Sequence, residues 1–193
     1  MFELNSFSVE PYDNNVYVIS DPSSKEALLI DAANNVERIL AQLKGLSVSH
    51  ILTTHGHPDH VQAVAALRGA TGALFTCHAG DARMMPITPD LEARDGDRFR
   101  FGAHELVAIH TPGHTPGSLC FLIEDHLFTG DTLFPGGPGN TSGPGASFPT
   151  IITSISHRLF SLDDRTRVLP GHGKPTTIGE QRGQLDAWVR RGW

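Results

Sequence analysis

The stretch Thr54-His55-Gly56-His57-Pro58-Asp59-His60 constrains this chain more than any other. Three histidines and a carboxylate follow directly on the apolar pair Ile51-Leu52. In extended backbone, residues two apart point to the same side, so His55 and His57 share a side at the end of a strand. Pro58 suits the first turn of a helix, where its missing N–H removes nothing. The spacing Val61, Val64, Ala65, Leu67 continues that helix with an apolar face. A strand-to-helix turn of this kind gathers four ligand-capable groups round one hollow.

At 193 residues with a formal charge of −6, the chain is expected to form one domain, residues 1–193, without disulfides. Its acidic and basic residues are interspersed, which leaves no basic footprint for nucleic acid or membrane. Cys77 and Cys120, the only two cysteines, read as small buried apolar residues. The N-terminal MFELNSFSVEPYDNN lacks a basic region followed by an apolar run, so no signal peptide is expected. No segment approaches the eighteen or so apolar residues of a membrane span. A cytoplasmic enzyme is the resulting expectation; no oligomeric state is legible.

Turn residues and apolar patterning predict strands at 2–9, 15–20 and 26–31, then a helix capped by Asn34 or Asn35 and running to about Leu43. A strand over 47–53 delivers the histidines to a helix over 59–69. A strand at 73–76 and a short helix near 79–84 follow, with a loop from Pro86 to Asp97. Arg98–Phe101 and Glu105–His110 alternate as an antiparallel pair turned at Gly102. Leu119–Ile123 and Leu127–Phe128 form another pair. The tract from Pro135 to Gly145 is too rich in Gly and Pro to be regular, and either covers a substrate or is merely mobile. A helix (149–161), a strand (166–169) and a helix (177–190) complete an α/β layering.

Three further residues stand beside glycine just after a predicted strand: His114 in Thr111–Gly117, Asp131 in Phe128–Phe134, and His172 in Leu169–Gly173. Backbone can approach a metal closely there, and open α/β sheets place ligands at strand carboxyl ends. With the first cluster they make a donor set for two divalent metal ions, zinc first, with iron or manganese as alternatives. His50, His104, His110, His126 and His157 read as packed or surface histidines. His78 and Asp81, after a strand, read either as pocket-edge groups or, in preference, as caps of the short helix, and Asp95-Gly96-Asp97 reads as a turn.

With these stretches in order, the chain resembles the metallo-β-lactamase-fold hydrolases over nearly its full length, and among them the small glyoxalase II-like proteins. Asp13-Asn14, Thr54–His60, Gly113-His114-Thr115, Phe128–Phe134, Pro170–Gly173 and Thr176–Gly179 carry the resemblance. It implies an αββα four-layer sandwich with the site along one edge. It also implies one metal on His55, His57 and His114, a second on Asp59, His60 and His172, and Asp131 bridging them. Asp31 would accept a hydrogen bond from a ligand histidine.

The activity so implied is thioester hydrolysis on a small-molecule substrate, by hydroxide generated on two zinc ions, with Asp59 orienting it. The alternatives are a mononuclear iron persulfide dioxygenase, another hydrolase such as a lactonase, or a non-catalytic binding protein on the same fold, which an intact ligand set argues against. Sulfur dioxygenases often read Gly-Arg-Thr-Asp where this chain has Gly139-Asn140-Thr141-Ser142. Glyoxalase II carries a C-terminal helical domain where this chain ends at Trp193, and an aromatic contact where it has Gly173-Lys174-Pro175. These departures predict that glutathione is not strongly preferred as the carrier.

Overall fold

A computed structural model describes residues 1–192. The strands in chain order are β1 (Glu3–Val9), β2 (Asn14–Ser20), β3 (Glu26–Ile30), β4 (Ser47–Leu52), β5 (Leu74–His78), β6 (Leu91–Ala93) and β7 (Arg98–Phe101). They continue as β8 (His104–His110), β9 (Leu119–Ile123), β10 (His126–Gly130), β11 (Leu133–Phe134), β12 (Gly137–Pro138), β13 (Arg167–Pro170) and β14 (Thr176–Thr177). The helices are α1 (Val36–Gln42), α2 (Pro58–Val61), α3 (Val64–Thr71), α4 (Phe148–Ser154), α5 (Ile178–Arg182) and α6 (Leu185–Arg191).

Two six-stranded sheets result, ordered β1-β2-β3-β4-β5-β6 and β14-β13-β10-β9-β8-β7. Strand alternation decides which side chains lie between them. Tyr17 and Ile19 of β2, with Leu28 and Ile30 of β3, face Phe101, Leu106, Phe121 and Phe128 of the second sheet. Val16, Val18 and Leu29 point the other way and pack with Ile39, Val64 and Leu67 of α1 and α3. On the far side, Cys120, Leu127 and Val168 pack with Ile151, Ile178 and Trp188 of α4, α5 and α6. Because both faces of each sheet are covered, β2 and β3 read as nearly continuous apolar runs. The layers are helix, sheet, sheet, helix, as the resemblance implies.

Five expectations are corrected. The helix over 59–69 is two pieces, because the Ala63 N–H turns to the Ala32 carbonyl (3.0 Å) and breaks the ladder. The 86–97 loop contains edge strand β6, paired in parallel with β5; a three-residue edge strand has no alternation to read. The Gly/Pro tract contributes half of the β11–β12 hairpin. Residues 176–191 are a short strand and two helices, with a Thr177/Glu180 capping box starting α5. The helix over 149–161 is α4 followed by a π-helical turn over Ile155–Leu159.

No helix among the described residues is long and apolar enough to cross a membrane. Both cysteines are free and buried, as expected.

Candidate metal centre

The segments following β3, β4, β8, β10 and β13 meet along one edge of the sandwich. The start of β2 closes that edge, where Asn15 N–H donates to the Gly171 carbonyl (2.7 Å). All seven residues singled out in the sequence converge there. His55, His57 and His114 form one triad, and Asp59, His60 and His172 another, each with its candidate ligand atoms within 4.8 Å of one another. Asp131 stands between them, 3.6 Å from His60 Nε2 through Oδ1 and from His114 Nε2 through Oδ2. Its Oδ2 is also 3.7 Å from His172 Nε2. Gly171 permits this approach: a Cβ there would lie 2.3 Å from Asp131 Oδ1 and 2.7 Å from His60 Cε1.

Hydrogen bonds on the outer side of four of the five imidazoles assign their tautomers. His60 Nδ1 donates to Asp31 Oδ2 at 2.9 Å, His114 Nδ1 to the Asn140 carbonyl at 2.8 Å, and His172 Nδ1 to the Tyr12 carbonyl at 2.9 Å. The Thr54 hydroxyl donates to Asp31 at 2.8 Å, so its oxygen accepts from His55 Nδ1 at 3.1 Å. When these four imidazoles are neutral, four Nε2 lone pairs therefore face one hollow. His114 Nε2 lies 2.9 Å from His57 Nδ1, and His60 Nε2 lies 3.2 Å from His172 Nε2. His55 Nε2 and Asp131 Oδ1 are buried with no hydrogen-bond partner at all. Converging lone pairs and orphaned buried acceptors are costly unless a cation lies among them. The donor set fits divalent metal ions of borderline softness.

The electrostatics divide the histidines: burial favours the neutral form of His55 and His57, whereas, despite burial, neighbouring carboxylates raise His60 and His172. Burial, reinforced by His60, His114, His57 and His172, holds His55 well below the ordinary histidine range, so it is neutral, the form that binds metal. Burial and the neighbouring His114 lower His57 as well. Burial alone would lower His60, but the hydrogen bond to Asp31 and the charges of Asp131 and Asp59 carry it up to about 9. Asp59 goes the other way: despite burial, His172, His60 and the Asn14 amide (2.9 Å) hold its carboxyl well below the usual carboxylate range.

Asp31 sits where the resemblance puts it, bracing His60. Asp81 corrects the sequence reading. His78 does cap the short helix, its Nδ1 accepting from the Gly80 N–H, but Asp81 is fully buried and bonds to Gly56, Thr115 and Gly117 instead. Its partners are far apart in sequence, so only its place after a strand hinted at a role in the pocket. Tyr12 was also missed; it is 60% exposed at the β1–β2 turn and lines a cleft of about 430 Å³ with Pro58, Asp59, Gln62 and His172. Among the other histidines, His50 packs on Phe99 and His104 on Phe101, while His157 is exposed.

The profile of the "Metallo-beta-lactamase superfamily" matches residues 9–172. The chain belongs to this superfamily. "Hydroxyacylglutathione hydrolase GloC" of Haemophilus influenzae is 31% identical, over 90% of this chain and 92% of its own. "Persulfide dioxygenase ETHE1, mitochondrial" of Homo sapiens is 34% identical, over 86% of this chain and 68% of its own. Among solved structures, TTHA1623 in a di-iron-bound form superposes with a TM-score of 0.81 at 34% identity, covering 92% of this chain and 96% of that one. Family and hollow together place the chain among the metal-dependent hydrolases of the metallo-β-lactamase superfamily.

Proposed function

We propose that the protein is a dinuclear zinc thioester hydrolase of the glyoxalase II type. The observation that carries this reading is the completeness of two ligand triads with Asp131 between them. His55, His57 and His114 would hold one ion, Asp59, His60 and His172 the other, and Asp131 both. The di-iron form of TTHA1623 supports two ions rather than one, and the name of GloC supports a thioester as substrate.

Two divalent cations, when bound, supply Lewis acidity to a thioester carbonyl and an attacking water at neutral pH. The chain's own groups do the rest. Despite burial, His172, His60 and the Asn14 amide favour the carboxylate form of Asp59, so it would accept a hydrogen bond and orient the attacking group instead of donating a proton. Asn14 holds Asp59 in place through its amide. Neither cysteine can serve as the nucleophile: burial pushes the Cys77 thiol up to about 12 and the Cys120 thiol up to about 11. Tyr12 and Gln62 form the wall of the cleft beside His172 and are placed to hold the substrate's body. A second hollow of about 560 Å³ runs along Phe134 to Ser142, and no charged side chain lines it. Glutathione carries two carboxylates, so a lining without cations supports a carrier other than glutathione.

The alternative is persulfide oxidation, favoured by the similarity to ETHE1. Against it stands the complete second triad, which a mononuclear site does not require, and Asn140 in the Gly139–Ser142 segment in place of an arginine. The test pairs thioester turnover by zinc-loaded protein, with and without oxygen, against oxygen uptake by iron-loaded protein given a low-molecular-weight persulfide. Oxygen-independent thioester cleavage that disappears in Asp59→Ala is expected. Rapid oxygen consumption with negligible thioester cleavage overturns the proposal. A preference for lactoyl-glutathione over the same acyl group on a small thiol above about 100-fold, or ~2.7 kcal/mol, overturns the carrier reading.

A further inference from the structure

Asp81 lies outside both triads, is fully buried, and commits both carboxylate oxygens to two loops. Its Oδ2 accepts from the Gly56 N–H at 2.9 Å and from the Thr115 hydroxyl at 2.6 Å. Its Oδ1 accepts from the Gly117 N–H at 2.7 Å. Gly56 sits between His55 and His57, and Thr115 follows His114. One carboxylate therefore grips the loop after β4 and the loop after β8, which between them carry the whole first triad. The fit is tight: a Cβ on Gly117 would lie 2.6 Å from Asp81 Cγ. Leu119 N–H also bonds to the Thr54 carbonyl at 2.7 Å, but that tie lies before His55 and leaves the turn between the two histidines free.

A carboxylate is required by the donors it faces. Gly56 and Gly117 each present a fixed backbone N–H, one to each oxygen. An asparagine would have to aim its NH₂ at one of them, leaving donor against donor in a buried place. Asp31 does comparable work for the second triad by bonding His60 directly; Asp81 acts only through backbone and a hydroxyl.

From this geometry we infer that Asp81 is a positioning residue for the first triad. It sets the approach of His57 Nδ1 to His114 Nε2, and thereby that triad's affinity for a divalent cation, while leaving the second triad untouched. The inference rests on the metal-centre reading above, and its test has an arm that does not.

In metal-free protein, amide hydrogen exchange at Gly56 and Gly117 is compared between wild type and Asp81→Asn. Faster exchange at one or both amides is expected, and unchanged exchange at both overturns the clamp. Zinc affinity is then measured by chelator competition in two backgrounds, His172→Ala, which retains the first triad, and His114→Ala, which retains the second. Asp81→Asn should weaken zinc by about tenfold in the first background and by less than about twofold in the second. Equal losses in both backgrounds reveal general loosening and overturn the inference, as does no loss in either. Thr115→Val, which removes one tie and keeps the shape, should show the same preference for the first background if Asp81→Asn is too unstable to purify. If the His172→Ala protein with Asp81 intact binds no zinc, the metal-centre reading fails, and amide exchange alone decides whether Asp81 clamps the loops.

Discussion

Replacing Asp31 by asparagine should move a proton to the wrong nitrogen of His60. Asp31 is 2% exposed and accepts from three donors: the Thr54 N–H and hydroxyl, each at 2.8 Å, and His60 Nδ1 at 2.9 Å. Its backbone is left-handed, with φ at 58°, a conformation that asparagine tolerates better than alanine does. Asp31→Asn therefore tests the hydrogen bonds with little backbone change. The Thr54 N–H cannot turn, so the amide oxygen stays opposite it. The new NH₂ then faces the Thr54 hydroxyl, which can rotate to accept, and His60 Nδ1, which cannot accept while protonated. His60 must shift its proton to Nε2, the atom facing the ligand hollow, or leave two donors in opposition. Either cost is about 1–3 kcal/mol for a buried group. That corresponds to a loss of roughly 5- to 150-fold in zinc affinity at the second triad, at about 1.4 kcal/mol per tenfold. The assay is a chelator competition that resolves the two binding steps, with nitrogen NMR of His60 in metal-free protein. One step should weaken while the other holds, and Nε2 should carry the proton at a pH where His60 is neutral. Unchanged affinity with the proton still on Nδ1 refutes the argument.

Wild-type protein reconstituted with zinc should hold about two ions per chain, as expected of a clamp with a shared carboxylate. Asp131→Ala should weaken both and His172→Ala should mostly empty one; a metal count of one in both wild type and His172→Ala refutes two sites. Tyr12→Ala should raise KM for a thioester by about fivefold with little change in kcat, because it removes an aromatic wall used equally by ground and transition states. Steady-state kinetics checks this, and an unchanged KM refutes it. On the outer face, the Arg68 guanidinium and the Phe75 N–H hold Asp90 down at about 2. A depressed carboxyl pKa contributes stability above its unfolded value, about 3.9, and that contribution is lost as the pH falls toward the folded value. Urea midpoints should therefore show Asp90→Asn less stable than wild type near pH ~6, with the gap closing between about pH 4 and 2. The pair is partly exposed, so the gap is small, and a gap that widens on acidification refutes the assignment.

The sequence by itself marked most of the strands and the residues that converge at the candidate site, because both signals are local. Alternation and apolar runs mark β2, β3 and β4. His55, His57, Asp59 and His60 fall on one turn whatever the rest of the chain does. The later candidate ligands, His114, Asp131 and His172, were visible because each stands beside glycine at a strand end, a signal written within a few residues. What the tertiary structure decided are the contacts between distant segments. The break between α2 and α3 depends on Ala63 finding the Ala32 carbonyl, and β6 exists only because β5 offers it an edge. The reach of Asp81 to Gly56 and Gly117, across 25 and 36 residues, leaves no periodic trace. The same holds for the tautomers of His114 and His172, which depend on carbonyls of Asn140 and Tyr12 brought in by other loops. A side chain's chemistry is written at its own position, but which lone pair it presents is set by the partner on its other side, and only folding supplies that partner.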